Sequence, residues 1–258
     1  MKQVALPVLL ICALTACGKS ESPVSDAAVN NESAEKTGPT GSTSSKPDPE
    51  TQADQFVAMD TTEACLGLYA NLAPAEGKKR ALVQFAMIRD GEFRKLEGFA
   101  REDALKAQVA AFDAAVAPMK GKTLFTYTTT SNDDYREYNM ETKSFFDSTQ
   151  MTWGSNDMMG NSNGNNQLTL SYGDGSCVLR LVNTEAWKGQ FKVVDETQAR
   201  AADAARQGHN GHVRYFLQAV SAEADDSSLD WPRVNAEIVR VELVDNAGNM
   251  LARAQPSL

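Results

Sequence analysis

The dominant spacing of apolar residues changes near residue 121, and that change constrains the fold more than any single motif. Before it, "REDALKAQVAAFDAAVAPM" (101–119) places Leu105, Val109, Phe112, Val116 and Met119 at alternating steps of four and three. That is the spacing of one face of an α-helix. Glu102 and Asp103 lie near the start of the segment, where the helix dipole favours acids, and Pro118 marks its end. Upstream, "TTEACLGLYANLAP" and "GKKRALVQFAMIRDGEF" read as two shorter helices. From Lys122 onward the period becomes two. "NQLTLSY" sets Leu168, Leu170 and Tyr172 against Thr169 and Ser171, and "NAEIVRVELV" sets Val239, Val241 and Leu243 against Arg240 and Glu242. The latter turns through Asp245–Asn249 into Met250 and Leu251, a hairpin signature. "TLFTYTTT", "KSFFDSTQMTW", "CVLRLVN", "QFKVV" and "HVRYFLQAV" add strands, and "DETQARAADAARQG" inserts a helix ending near Gly208. The expected class is α+β: an N-terminal helical layer (55–120) packed on a mainly antiparallel β-sheet or β-sandwich region (122–258) of seven to nine strands. About 200 residues suffice for a real core, as one domain or two closely packed lobes.

The first 54 residues follow neither pattern. Lys2 precedes an apolar run, Val4–Leu14, of 11 residues. A membrane span needs about 20, whereas the h-region of an export signal is this short. Leu14-Thr15-Ala16-Cys17 then resembles the bacterial lipobox. The resemblance implies that residues 1–16 are a signal peptide cut before Cys17, whose thiol carries a diacylglycerol. Two or three acyl chains are enough for stable anchoring. The alternative is an ordinary signal peptide with a stray cysteine. Gly18, where an aspartate would favour the inner membrane in enterobacterial lipoproteins, implies an outer-membrane address facing the periplasm. Residues 17–54 read as a lipidated, disordered tether, because Gly18–Asp54 is rich in Ser, Thr, Pro, Gly, Asn and charge with almost no large apolar side chain. A linker of that length spans roughly 35 Å r.m.s. and at most about 120–130 Å.

The chain is acidic throughout. Its net charge is −9, of which residues 18–54 carry −4 and residues 55–258 carry −6, with Lys2 contributing +1. Phosphate backbones demand clustered Lys and Arg, so nucleic acid is not an expected partner, and the membrane is reached through lipid on Cys17 rather than through charge. Cys12 leaves with the signal, so Cys65 and Cys177 remain in the mature domain. In an oxidising compartment two cysteines read as one disulfide; two separate thiols are the alternative. No CxxC is present, which disfavours a redox role.

Catalytic patterns are sparse. Gly160-Asn161-Ser162-Asn163-Gly164 matches G-x-S-x-G, yet a nucleophile elbow needs a strand before it and a helix after it, and an amide-rich stretch surrounds this one. His209 and His212 are the only histidines, so any His-dependent mechanism would use one of them; zinc would need further ligands that are not nearby. "SNDD" (131–134) and "EADDSSLD" (223–230) lack the order of a calcium loop. Glu92 and Glu141 are a candidate carboxylate pair. No catalytic residue, metal ligand or cofactor is assigned from the sequence.

"RDGEF" (89–93), then "YREYNMETKSFF" (135–146) entering the strand region, resembles a family of exported bacterial proteins defined by a domain of unknown function. Tyr138, Asn139, Glu141 and Phe145 match its pattern of a tyrosine, an acid or amide, a glutamate and an aromatic. Met140 stands where that family carries an aromatic, and the proline expected after the second aromatic is missing. The resemblance would span roughly residues 60–255 and implies the fold class, with no activity, cofactor or catalytic residue. Two functions stay open. One is a non-enzymatic envelope lipoprotein binding a protein, glycan or small ligand. The other is a periplasmic hydrolase using carboxylates or the His209/His212 pair.

Overall fold

The computed structural model describes residues 48–129, 135–148, 167–172, 175–184, 187, 189–224 and 231–255. Among them are four α-helices and nine strands in an α+β arrangement. Helix α1 (Thr62–Leu72) starts where the Thr61 hydroxyl accepts the Ala64 amide at 3.1 Å, a side-chain cap that satisfies one of the first free amides. Helix α2 (Ala75–Arg89) follows directly after Pro74. Helix α3 (Gly98–Val116) passes into a 3₁₀ turn, Ala117–Met119, that contains Pro118. Of the five-residue stripe read from the sequence, Leu105, Phe112 and Met119 are buried and Val116 is half-buried, whereas Val109 is 42% exposed. The reason is geometric. Helix α3 meets its neighbours along the Leu105–Phe112 line, with the Phe112 ring 5.5 Å from Phe85 of α2, and Val109 falls beside that line.

Strands β1 (Val57–Ala58), β2 (Leu124–Thr128), β4 (Gln167–Tyr172), β5 (Gly175–Leu181), β7 (Gly211–Ala224), β8 (Pro232–Asp245) and β9 (Met250–Ala254) form one sheet. Its order is β1-β2-β7-β8-β5-β4, with β9 also paired to β8. Strand β8 therefore serves two neighbours end to end: Arg233–Ala236 run parallel to β5, and Val241–Val244 run antiparallel to β9. Only β1–β2 and β5–β8 are parallel, so the sheet is mainly antiparallel, as expected. The helical layer covers one face of this sheet; no second large sheet faces it among the described residues. The hairpin read at Asp245–Asn249 is present, with Gly248 at φ +83°, a backbone state that favours glycine. Strands β3 (Ser144–Phe146) and β6 (Gln190–Lys192) make a separate two-stranded ribbon, and helix α4 (Glu196–Gln207) lies between β6 and β7 in the chain.

Period-two alternation sorts the long strands into two faces. Val213, Tyr215 and Leu217 of β7 join Val234, Ala236, Ile238, Val241 and Leu243 of β8 in the main core. Cys65, Leu66, Leu68 and Tyr69 of α1 and Ala81 and Phe85 of α2 pack into the same cluster. A bulge shifts the register so that Phe216 pairs Arg240 while Leu217 pairs Ile238. The extra residue, Val239, joins Phe216 in a small second cluster with Phe56 and Leu124. Gly175 opens β5 where α2 comes closest: a Cβ there would collide with the Gln84 carbonyl and with Ile88. The β3–β6 ribbon is tied to the large sheet through Asp147, fully buried, whose Oδ2 accepts Tyr215 Oη at 2.6 Å and Trp187 Nε1 at 3.1 Å.

Residues 48–56 also belong to the folded unit. They cross the polar face of the sheet, where Arg240 Nη1 donates to the carbonyls of Pro49 at 3.0 Å and Thr51 at 2.5 Å. The stretch 18–54 lacks large side chains, but backbone carbonyls need none to be clamped by an arginine. Its end, from residue 48, is therefore fixed on the sheet, which corrects the expectation that nothing before residue 55 packs.

The sulfurs of Cys65 and Cys177 lie at bonding distance, with Cα atoms 6.1 Å apart, inside the range a disulfide requires. The bridge fastens α1 to β5 across 112 residues of chain. Replacing Cys65 by alanine is expected to lower unfolding free energy by about 2–5 kcal/mol in urea melts, the range for native bridges. Reduction of the wild-type chain should have a similar effect.

Candidate functional site

Helix α4 owes its position to its small residues. Asp195 caps it, Oδ1 accepting the Gln198 amide at 2.8 Å. Ala199 and Ala202 are its buried side chains, and their small size lets the helix lie close to the strands. Tyr135 Oη reaches the Ala202 carbonyl at 2.9 Å, and Tyr138 Oη reaches the Val193 carbonyl at 2.7 Å. Beside α4, the turn before β3 leaves an open cleft of about 430 Å³. Glu137, Tyr138, Met140 and Lys143 line it from the turn, and Glu196, Arg200, Asp203 and Arg206 from the helix.

The charges in this cleft balance. Arg200 Nη2 lies 2.5 Å from Glu196 Oε1, and Arg206 Nη2 lies 3.0 Å from Asp203 Oδ1. Each helix carboxylate is thus engaged by an arginine on the same helix face. Two apolar side chains border these pairs, Met140 at 75% and Val194 at 63% exposure. Such a surface suits a ligand with both polar and apolar faces, and a flexible methionine adapts to irregular shapes.

Of the residues singled out by the tyrosine pattern, Tyr138 lines the cleft, and the others shape the turn and the packing behind it. The Tyr138 and Phe145 rings lie 5.0 Å apart. Asn139 Oδ1 accepts the amides of Glu141 at 3.0 Å and Thr142 at 2.8 Å, which closes the turn. Lys143 completes it at φ +52°. Glu141 is exposed on that turn, whereas Glu92 sits before α3 and pairs with Lys95 at 2.7 Å. No hydrogen bond or ion pair among the described residues joins Glu92 to Glu141.

His209 is exposed just past α4, at φ +53°, and its amide donates to the Arg206 carbonyl. His212 Nε2 lies 2.6 Å from Asn246 Oδ1, and Asn246 Nδ2 donates to Asn210. No group of three or more His, Cys, Asp or Glu side chains is placed to hold a metal among the described residues. Cys17, the Gly160–Gly164 stretch, "SNDD" at 131–134 and residues 225–230 lie outside the described residues.

Sequence reading did not anticipate the ionic organisation of the polar face. Arg233 and Asn235 are buried there beside Glu223. The Asn235 amide, donating at 3.0 Å, is the first cause holding the Glu223 carboxyl below its ordinary value of 4.5. Burial opposes the shift, and Arg233 and Arg180 add to it. The alternation of Arg240 and Glu242 with Val241 and Leu243 marks a polar face on β8 without saying that its charges are buried.

Comparison with models of protein families, with curated proteins and with solved structures finds no match.

A lowered carboxyl pKa stabilises the fold above the unfolded value and loses that contribution as pH falls through the folded value. The stability difference between wild type and Glu223→Gln should therefore be present near about pH 6 and shrink toward zero near about pH 3. Because Glu223 is about half exposed, the difference is expected to stay below about 1 kcal/mol. A difference that grows in acid would refute this assignment.

Proposed function

We propose that this chain is a lipid-anchored protein of the bacterial envelope, exported, cut before Cys17 and held at the outer membrane facing the periplasm. Its folded domain serves as a binding or interaction module for an envelope protein or glycan, without catalysis. The observation that carries the anchor is the sequence Leu14-Thr15-Ala16-Cys17 following an 11-residue apolar run. The Cys65–Cys177 pair supports an oxidising compartment. No helix among the described residues is long and apolar enough to cross a membrane, so lipid is the attachment this reading supplies. The resemblance to exported bacterial proteins of unknown function points the same way. The cleft beside α4 supports binding: it is open, bordered by exposed Met140 and Val194, and its helix carboxylates are engaged in ion pairs. An acidic domain makes nucleic acid a poor partner.

Two measurements test the two halves separately. Metabolic labelling with a fatty-acid analogue should mark the wild-type chain and fail on Cys17→Ser; label retained by the serine variant refutes the anchor. A photo-crosslinking residue at position 194, in cells expressing the anchored chain, should give a discrete adduct that Met140→Glu diminishes. Adducts unchanged by that substitution would place binding elsewhere.

A further inference from the structure

The strap formed by residues 48–56 is joined to the sheet in an unusual way. Its own amide bonds are internal: Thr51 donates to Asp48, Gln55 to Gln52 and Phe56 to Ala53. Ladder pairing with β2 begins only at Val57. What fastens the strap is side chains. Arg240, 1% exposed, clamps the carbonyls of Pro49 and Thr51. Its guanidinium carbon lies 3.6 Å from the Phe216 ring centre and 5.3 Å from that of Phe56, and the two rings meet edge-on at 5.0 Å. Glu50 reaches Arg253 at 3.0 Å and Gln255 at 3.1 Å. Phe56 sits in the small cluster with Phe216, Val239 and Leu124, whereas Val57 and Met59 pack with the main core. The apolar contacts therefore divide between Phe56 and Val57.

We propose that residues 48–56 are a releasable latch, which lifts from the polar face as a unit while the remainder of the domain stays folded. Charge makes this opening local. With the strap gone, Glu242 still holds Arg240 at 3.1 Å and Arg253 at 3.2 Å, so no isolated buried charge is left behind, the outcome that makes breaking such clusters costly. The released carbonyls and Arg240 Nη1 gain water as partner. Release uncovers Phe216, Val239 and Leu124 beside Arg240, an aromatic and cationic groove. It also frees a strap of nine residues, about 30 Å of extended chain. On the lipid-anchor reading, that length adds to the reach of the domain from its membrane; the latch itself does not depend on the anchor.

Thiol labelling in the full chain carrying Cys12→Ser and Cys17→Ser separates local from global opening. Val239→Cys reports on the groove under the strap, and Val241→Cys on the helix-covered face of the same strand. Position 239 should be labelled on the order of 100-fold faster than position 241, with little dependence on low urea, as local opening requires. Adding Phe56→Ala should accelerate labelling at 239 and leave 241 unchanged. Chymotrypsin acting on the chain without the reporter cysteines provides a second readout: cutting at Phe56 should leave a folded product. Equal labelling rates with the same urea dependence, or no cut at Phe56 before global unfolding, would overturn the latch. Fatty-acid labelling of Cys17 tests the anchor independently of either result.

Discussion

The antiparallel pairing of β7 with β8 is the constraint on which the rest of this structure depends. It runs from Gly211 opposite Asp245 to Ala224 opposite Pro232, and the other large-sheet strands attach directly or through a neighbour to this pair. Because side chains alternate, the pair has one apolar face and one polar face, and each dictates what can cover it. The apolar face takes α1 and α2, with α3 packed on these two helices, over one part and α4 with the β3–β6 ribbon over another. The polar face cannot take a second apolar layer, since Arg233, Asn235, Arg240 and Glu242 must keep their partners. A strap that offers backbone carbonyls is a cover such a face can accept.

The bulge at Phe216/Leu217 reconciles these demands. A strictly alternating strand would keep Val239 on the face of Val241 and Leu243, as the sequence suggests. The shift at Phe216/Leu217 instead brings Val239 beside Phe216. There it helps seat Phe56, so a small apolar patch exists inside an otherwise ionic surface. The Arg240 guanidinium carbon lies 3.6 Å from the centre of the Phe216 ring in the same patch, where a planar guanidinium can be desolvated on one side and hydrogen-bonded at its edge.

Much of the architecture can be read in advance because its signals are local. Helix period, the Asp245–Asn249 turn and period-two strands depend on neighbours in sequence, and among the described residues helices α1–α4, that turn and strands β2, β5, β7 and β8 appear where the residues place them. The Cys65–Cys177 pairing was readable by elimination. Val109 departs from the expected buried stripe because a helical period states which residues align, not which of them the neighbouring helices reach. The end of the Ser/Pro-rich stretch was misjudged for a different reason: composition counts side chains, while Pro49 and Thr51 are held by their carbonyls. The cleft beside α4 was invisible because it depends on a turn at Asn139 meeting a helix more than fifty residues later. Tyr138 could be quoted from the sequence, but not as part of the wall of a cleft.

Strand β8 has one further consequence, which concerns length rather than chemistry. Its first half is registered against β5 and, through Cys177, against the helical layer; its second half is registered against β9 and the layer around α4. A residue inserted between Ala236 and Val241 would have to invert the facing of one half relative to the other, or be absorbed as another bulge. Drift in length during evolution should therefore collect in the turns that bound β8. Within the strand, substitutions can accumulate while the count of residues stays fixed, so that β8 serves as the ruler against which both layers are set.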